Sequence, residues 1–258
     1  MPTIPLTDGQ LHYQHHRGGS QPRRPPLVLI HGAGGNLMHW PGDLRRLSDR
    51  QVYALDLPGH GRSVGRGRAA IGDYAEVVRE FVERLRLPPC ALGGHSMGGA
   101  IALEFALRYP ARLAGLVLVG TGARLRVAPE ILDGIANDFD GTIARLADWA
   151  HGEHVDPNLQ RIYMRRLREV DRLVIRDDFL ACDAFDRRAD VAGIASPTLI
   201  ICGDADRMTP VKLSQSLAGQ IKSAHLVTIT DAGHMVMLEQ PTIVAGAIRE
   251  FLGRLSPA

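Results

Sequence analysis

The segment from residue 90 to residue 110 constrains the fold of this chain more than any other part of the sequence. It reads as a short apolar strand, a tight Gly-His-Ser-Met-Gly turn at 94–98 and then an apolar, alanine-rich helix. Such a turn forces Ser96 into a strained backbone conformation and lifts its hydroxyl above the edge of a sheet. Gly94 and Gly98 stand where a side chain would collide with the neighbouring strand or helix. The sequence therefore predicts a serine nucleophile at the end of a sheet strand.

Length and composition indicate an ordinary globular protein. The 258 residues, 45% hydrophobic and 22% charged, are enough for one large α/β domain with a substantial core. A net charge of +2 is too small to indicate a surface that binds nucleic acid. The three cysteines do not have the spacing of metal ligands, and their odd number argues against a disulfide framework. No apolar run approaches the ~20 residues of a membrane span, and the N-terminus lacks a signal-peptide pattern. We expect a cytoplasmic protein with no nucleic-acid or membrane partner.

Strand-like apolar runs alternate with helical patterns along the chain. The six predicted core strands are Leu27–Ile30, Val52–Leu55, Ala91–Gly93, Leu116–Val119, Thr198–Cys202 and Leu226–Ile229. The predicted helices between and after them are Ile71–Leu87, Met97–Tyr109, Pro210–Gln220 and Gln240–Leu255. We expect one or two antiparallel edge strands from residues 4–16. This pattern predicts an α/β fold with a doubly wound, mostly parallel sheet.

The alternation breaks between residues 121 and 190. This stretch is rich in Arg and Asp, and its apolar residues recur at helical spacing. We interpret it as a helical insertion, with residues 1–120 and 191–258 forming the core domain. Open α/β sheets bind ligands at the carboxyl ends of their strands, so we predict a helical lid over the site there. An ordinary extended crossover is the alternative, and the charged run 161–178 is interpreted as a solvated lid face.

A serine hydroxyl needs a base at neutral pH, and that base needs an orienting partner. The loops after the last two predicted strands supply candidates for both, since they hold Asp204, Asp206 and His234. Carboxyl ends of parallel strands meet at one edge of the sheet. We therefore expect the Ser96 hydroxyl, one of the two carboxyl groups and the His234 imidazole to lie together.

Acyl transfer also needs backbone N–H groups aimed at the developing negative charge. The first predicted donor is the amide of Met97, directly after the serine. The second is the amide of Ala33, in the glycine-rich turn His31–Gly35 that follows the first core strand. This turn lacks the Gly-Lys-Ser/Thr ending of a phosphate loop, which favours an oxyanion site over a nucleotide site.

Over nearly its full length the chain resembles the α/β-hydrolase family. The motifs that carry the resemblance are His31–Gly35, Asp56–Ser63, Gly94–Gly98, Gly203–Pro210 and Ala232–His234. The family's Gly-x-x-Asp-x-x-x-Pro pattern implies Asp206 as the catalytic acid, which leaves Asp204 as a loop-capping residue. The resemblance also implies a Ser…Asp…His order along the chain and a helical cap after the sixth strand. We interpret His95 as structural, and Asp56 and His60 as loop-ordering.

The resemblance implies a serine hydrolase without a cofactor or metal. We expect it to cleave small-molecule carboxylic esters with small to medium acyl chains through an acyl-enzyme, as a monomer or homodimer. Serine at the nucleophile position argues against dehalogenases and epoxide hydrolases, relatives that use Asp there. The alternatives are hydrolysis of a C–C bond in a ring-cleavage product, of a lactone or of a thioester. A ligand-binding receptor that kept the fold is the alternative from another class.

The insertion should supply most of the acyl pocket, and its apolar residues predict a modest hydrophobic pocket. The predicted lining residues are Gly32, Ile131, Ile135, Phe139, Trp149, Tyr163 and Met164. The arginines of this region, such as Arg124 and Arg126, either hold an acidic substrate or lie in solvent, and both interpretations remain open. His151 and His154 have no clear third ligand, so we predict no metal site there.

Overall fold

Eight strands form one sheet at the centre of the molecule, which a computed structural model describes for residues 2–19 and 24–256. The strands are β1 Thr3–Leu6, β2 Gly9–His16, β3 Leu27–Ile30, β4 Val52–Leu55, β5 Cys90–His95, β6 Leu113–Val119, β7 Thr198–Gly203 and β8 Ala224–Ile229. Across the sheet they follow the order β1-β2-β4-β3-β5-β6-β7-β8. The predicted α/β class with a mostly parallel sheet is confirmed.

The six strands β3 to β8 run parallel, and their carboxyl ends meet at one edge of the sheet. Ile30, Gly94, Leu118 and Ile200 occupy one row of partners across β3, β5, β6 and β7. The segments that follow these strands therefore start side by side. At the other side of the sheet β1 and β2 pair antiparallel with their neighbours, which confirms the expected edge strands.

Helices cover both faces of the sheet, as a doubly wound fold requires. The α-helices of the described residues are α1 Gly42–Arg45, α2 Ile71–Arg84, α3 Met97–Arg108, α4 Pro129–Asn137, α5 Phe139–Trp149, α6 Pro157–Arg168, α7 Arg172–Ala184, α8 Val211–Gln220, α9 Val236–Glu239 and α10 Pro241–Gly253. One hydrophobic cluster buries Val28 against α2 and α3, and the other buries Leu29 against α10. Burial on both faces explains why β3 is apolar at every position.

Four helices, α4 to α7, lie between β6 and β7, within the segment that the sequence predicts as a helical insertion. They pack on one another, and their inner side chains, such as Leu146 and Ile175, are buried in the second hydrophobic cluster. The chain enters and leaves this segment side by side, since Arg124 and Asp186 form an antiparallel bridge. Treating residues 121–190 as a separate lid stays a prediction.

Throughout residues 2–19 and 24–256, every helix is too short or too polar to cross a bilayer. A spanning helix needs about 20 mostly apolar residues.

Candidate active site

Ser96 lies between β5 and α3 in a strained backbone conformation, with φ 53° and ψ −117°. A residue with a side chain held in this region costs about 1–3 kcal/mol, which the surrounding structure must offset. The Ser96 N–H donates to the Val119 carbonyl at 2.9 Å and ties the turn to β6. A Cβ at Gly94 would run into the Gly98 carbonyl, and one at Gly98 would run into the backbone of β3. Both glycines are therefore required by the close approach of strand and helix.

His234 and Asp206 form a buried pair in the loops that follow β8 and β7. The Nδ1–H of His234 donates to Oδ2 of Asp206 at 2.9 Å, and the two residues are only 2% and 5% exposed. Oδ1 of Asp206 accepts the N–H groups of Met208 at 2.9 Å and Thr209 at 2.7 Å. The Thr209 hydroxyl donates to Oδ2 at 2.7 Å. These bonds hold the carboxylate at a fixed angle to the imidazole.

The same contacts determine the ionisation of Asp206. Burial alone would raise the pKa of its carboxyl group, but the charge and hydrogen bond of His234 and the bonds from Thr209 outweigh burial. The net effect lowers the pKa below its ordinary value of 3.8. The carboxyl group is therefore a charged acceptor at neutral pH.

Asp204 occupies a different position in the same loop. It is exposed, and its Oδ1 accepts the N–H of Asp231 at 2.8 Å. Asp231 has a positive φ of 55°, so this bond supports a tight turn at the end of β8. Of these two carboxyl groups, it is that of Asp206 which contacts His234.

Ser96 and His234 line one cavity of about 500 Å³. His95 is the last residue of β5, and its ring centroid lies 4.7 Å from that of His234. Its Nε2–H donates to the His234 carbonyl at 3.0 Å, and burial lowers the pKa of His95 well below its usual range. Within residues 2–19 and 24–256 the Ser96 hydroxyl forms no hydrogen bond with His234. Such bonds often form only when substrate binds.

The glycine-rich turn after β3 passes beside the serine. A Cβ at Gly32 would lie 3.1 Å from the Ser96 Cβ and 3.0 Å from Nδ1 of His95. Gly32 and Ala33 both line the cavity that holds Ser96. Met97 is the first residue of α3, so its N–H has no partner within the helix. The two predicted oxyanion donors thus flank the serine on two separate segments.

A buried carboxyl group that the sequence analysis missed holds this turn in place. Asp178 of α7 is fully buried. It accepts the Gly34 N–H and the His60 Nε2–H at 2.8 Å each, and the Tyr74 hydroxyl at 2.6 Å. The interpretation of residues 161–178 as a solvated face is therefore wrong for Asp178. Its helical spacing from the buried Val174 and Ile175 is the sequence signal that places it on the inner face.

Replacing Asp178 by alanine should lower the free energy of unfolding by about 3–5 kcal/mol, because it leaves buried groups without their acceptor. Burial alone would lower the pKa of His60, but the Asp178 carboxylate outweighs burial and raises it. The part of this lost unfolding free energy that comes from the His60–Asp178 ion pair should thus be largest below about pH 6.5. It should fade as the pH rises through the raised pKa of His60. Urea unfolding at several pH values measures it. Asp177→Ala, one residue away and less buried, is the control, and an equal loss there would contradict the prediction.

The cavity lining differs from the predicted pocket. Of the predicted pocket residues, Gly32 and Tyr163 line the cavity that holds Ser96. The predicted residues that pack instead into the second hydrophobic cluster are Ile131, Ile135, Phe139, Trp149 and Met164. They face neighbouring helices because α4 to α7 pack mainly on one another. The apolar wall is supplied by Leu125 and Val127 after β6, Phe179 of α7 and Met208 beside Asp206.

Comparisons with known proteins point to one family. A family model described as the alpha/beta hydrolase family matches residues 27–247. The pimeloyl-[acyl-carrier protein] methyl ester esterase of Aeromonas hydrophila is 30% identical over 246 residues, covering 89% of this chain and 96% of that protein. The dihydrolipoyllysine-residue acetyltransferase component of the acetoin cleaving system of Pseudomonas putida is 30% identical over 244 residues. That match covers 88% of this chain, which spans 63% of the relative's length. A solved thermophilic esterase superposes with a TM-score of 0.87 at 30% identity, covering 100% of this chain and 98% of that one.

Proposed function

This chain belongs to the alpha/beta hydrolase family, and from that premise we propose that it is a serine esterase. The proposed substrates are small-molecule carboxylic esters with small to medium acyl chains. Ser96 is the nucleophile and His234 is the general base. Asp206 orients the imidazole of His234 and stabilises its positive charge once it is protonated. The observation that carries this proposal is the buried His234–Asp206 hydrogen bond of 2.9 Å beside the cavity that holds the strained serine. Esterases among the similar proteins support it.

The first half of the reaction follows from the tautomer of His234. Because Nδ1–H donates to the Asp206 carboxylate, the lone pair of Nε2 is left to accept the Ser96 proton. The serine oxygen attacks the ester carbonyl carbon, and the carbonyl electrons move onto oxygen. The N–H groups of Ala33 and Met97 stabilise that oxyanion. The imidazolium then gives its proton to the departing alcohol, which leaves an acyl-enzyme on Ser96.

The second half repeats these steps with water. His234 takes a proton from a water molecule as its oxygen attacks the acyl carbonyl carbon. The same two N–H groups stabilise the second oxyanion, and the imidazolium returns its proton to the Ser96 oxygen as the acid leaves. In both halves the carboxylate of Asp206 stabilises the transient positive charge of the imidazolium. The lowered pKa of Asp206 keeps this carboxyl group ionised at neutral pH.

A substrate panel with a covalent label tests the proposal. The panel contains p-nitrophenyl esters of increasing acyl length, a lactone, a thioester and a vinylogous diketone acid, so that it separates ester hydrolysis from the alternative bond types. A fluorophosphonate should lose fluoride to the Ser96 oxygen and leave its phosphonyl group on the peptide that contains Ser96, a mass increase that mass spectrometry detects. Failure to hydrolyse any ester, or labelling confined to another residue, would refute the assignment. Turnover limited to about one event per molecule would instead favour a ligand-binding receptor.

A further inference from the structure

The cavity that holds Ser96 is strongly asymmetric in charge. The cationic residues that line it are Arg124, Arg126, Arg188 and Lys212, and its lining within the described residues contains no carboxyl group. The chain as a whole is nearly balanced, with 30 basic and 28 acidic residues. The excess of positive charge is therefore a local property of this cavity.

The fold brings these four cations together from three separate segments. Arg124 and Arg126 follow β6, Arg188 follows α7, and Lys212 lies on α8. The first two segments are joined by backbone bonds, from Leu125 N–H to the Phe185 carbonyl at 3.4 Å and from Arg187 N–H to the Ala123 carbonyl at 2.7 Å. These bonds hold the arginines beside one another.

Nearby acidic groups neutralise only part of this charge. Asp186 pairs with both Arg188 at 2.7 Å and Arg124 at 3.6 Å. Asp183, also exposed, accepts the backbone N–H of Val127 at 3.0 Å. Across residues 2–19 and 24–256, neither Arg126 nor Lys212 forms an ion pair. Both side chains are exposed while they line the cavity, so they lie at its opening.

Apolar side chains supply most of the remaining lining of this cavity. They include Leu125, Val127, Phe179, Met208 and Leu213. A ligand that matches the cavity thus has an apolar middle, with its anionic end at the opening. A guanidinium fork and an ammonium group both bind carboxylates through charge-assisted hydrogen bonds.

We propose that the substrate of this site is an ester that carries a carboxylate, which Arg126 and Lys212 bind at the cavity opening while the ester carbonyl lies at Ser96. This inference rests on the proposed esterase function and narrows its substrate class. The four cations raise the local concentration of such anions and orient them.

Two matched esters test the charge directly. Mono-p-nitrophenyl adipate and p-nitrophenyl adipamate have the same length and shape, but only the first carries a carboxylate. After subtraction of the uncatalysed rates, we expect kcat/KM about tenfold higher for the adipate, mainly through a lower KM. The ratio should shrink as salt is added, because both cations are exposed and screened. A ratio near one at low salt would overturn the proposal.

Variants identify the residues responsible. Arg126→Gln and Lys212→Gln should each reduce the adipate-to-adipamate ratio, and the double variant should bring it near one. The matched controls are Arg145→Gln and Lys222→Gln, which remove the same charges at exposed positions outside the cavity lining. Equal ratios in the variants and the controls would overturn the assignment of these two residues.

A binding measurement separates this inference from the proposed function. In the Ser96→Ala protein, adipate should bind at least about tenfold more weakly after Arg126→Gln and Lys212→Gln are added, as calorimetric titration measures. If neither ester is hydrolysed but this difference is found, the esterase proposal fails and the anion site stands. If esters are hydrolysed and adipate binds equally with or without the two cations, the anion site fails alone.

Discussion

Replacing Ser96 by alanine is expected to lower kcat for p-nitrophenyl butyrate about 10⁶-fold, because in the proposed mechanism the serine, its base and the acid act as one unit. Without the hydroxyl, neither the acyl-enzyme nor the proton transfer to His234 can occur. The stability of the protein should change little, since alanine carries the same backbone strain at φ 53° and the hydroxyl is only half-buried. Steady-state rates and urea unfolding of the same preparation measure both quantities.

Ser216→Ala is the matched control, because it removes a hydroxyl group from an exposed position on α8. Its kcat should equal that of the unmodified protein. Ester hydrolysis that survives in Ser96→Ala at more than about one part in 10⁴ would mean that a different group attacks the ester.

Replacing Asp206 by asparagine is expected to lower kcat about 10⁴-fold. The amide removes the negative charge that stabilises the imidazolium, and its NH₂ group favours the wrong tautomer of His234. Because the pKa of Asp206 is held below 3.8, the carboxyl group is ionised at every pH from 5 to 9. The loss relative to the unmodified protein should therefore persist across that whole range, as kcat measured at each pH will show.

Asp204→Asn provides the comparison for this prediction. Asp204 is exposed and supports the Asp231 turn, so the change should lower kcat by less than about tenfold. The opposite ranking of the two variants would identify Asp204 as the catalytic acid.

The helical insertion and the candidate oxyanion turn are connected through Asp178. This residue lies on α7, yet its carboxylate accepts the N–H of Gly34, directly after the proposed donor Ala33. Its further bonds to His60 and Tyr74 anchor the same carboxylate in the core. A displacement of α7 would therefore disturb the turn beside Ser96. This contact therefore links a helix of the segment between β6 and β7 to the turn beside Ser96.

The pocket residues and the arginines of the cavity lining show which features a sequence pattern cannot predict. The spacing of Ile131 and Ile135 correctly predicts that both lie on the buried face of their helix. That face packs on other helices and does not line the cavity. Periodicity tells which side of a helix is buried and not what buries it. In the same way, the sequence left the role of Arg124 and Arg126 open because solvent and cavity walls both accept arginine. Their placement in the cavity lining depends on the pairing of two chain segments far apart in sequence.

By itself the sequence determined the alternation of strands and helices in a mostly parallel sheet, the turn that carries Ser96, and the loops that carry Asp206 and His234. These features depend on neighbouring residues, because glycine spacing, apolar runs and turn chemistry act over a few positions. Only the tertiary structure decided which carboxyl group contacts His234, which side chains form the cavity and what the buried Asp178 binds. Gly34 and Asp178 are 144 positions apart, and such contacts follow from how whole elements pack.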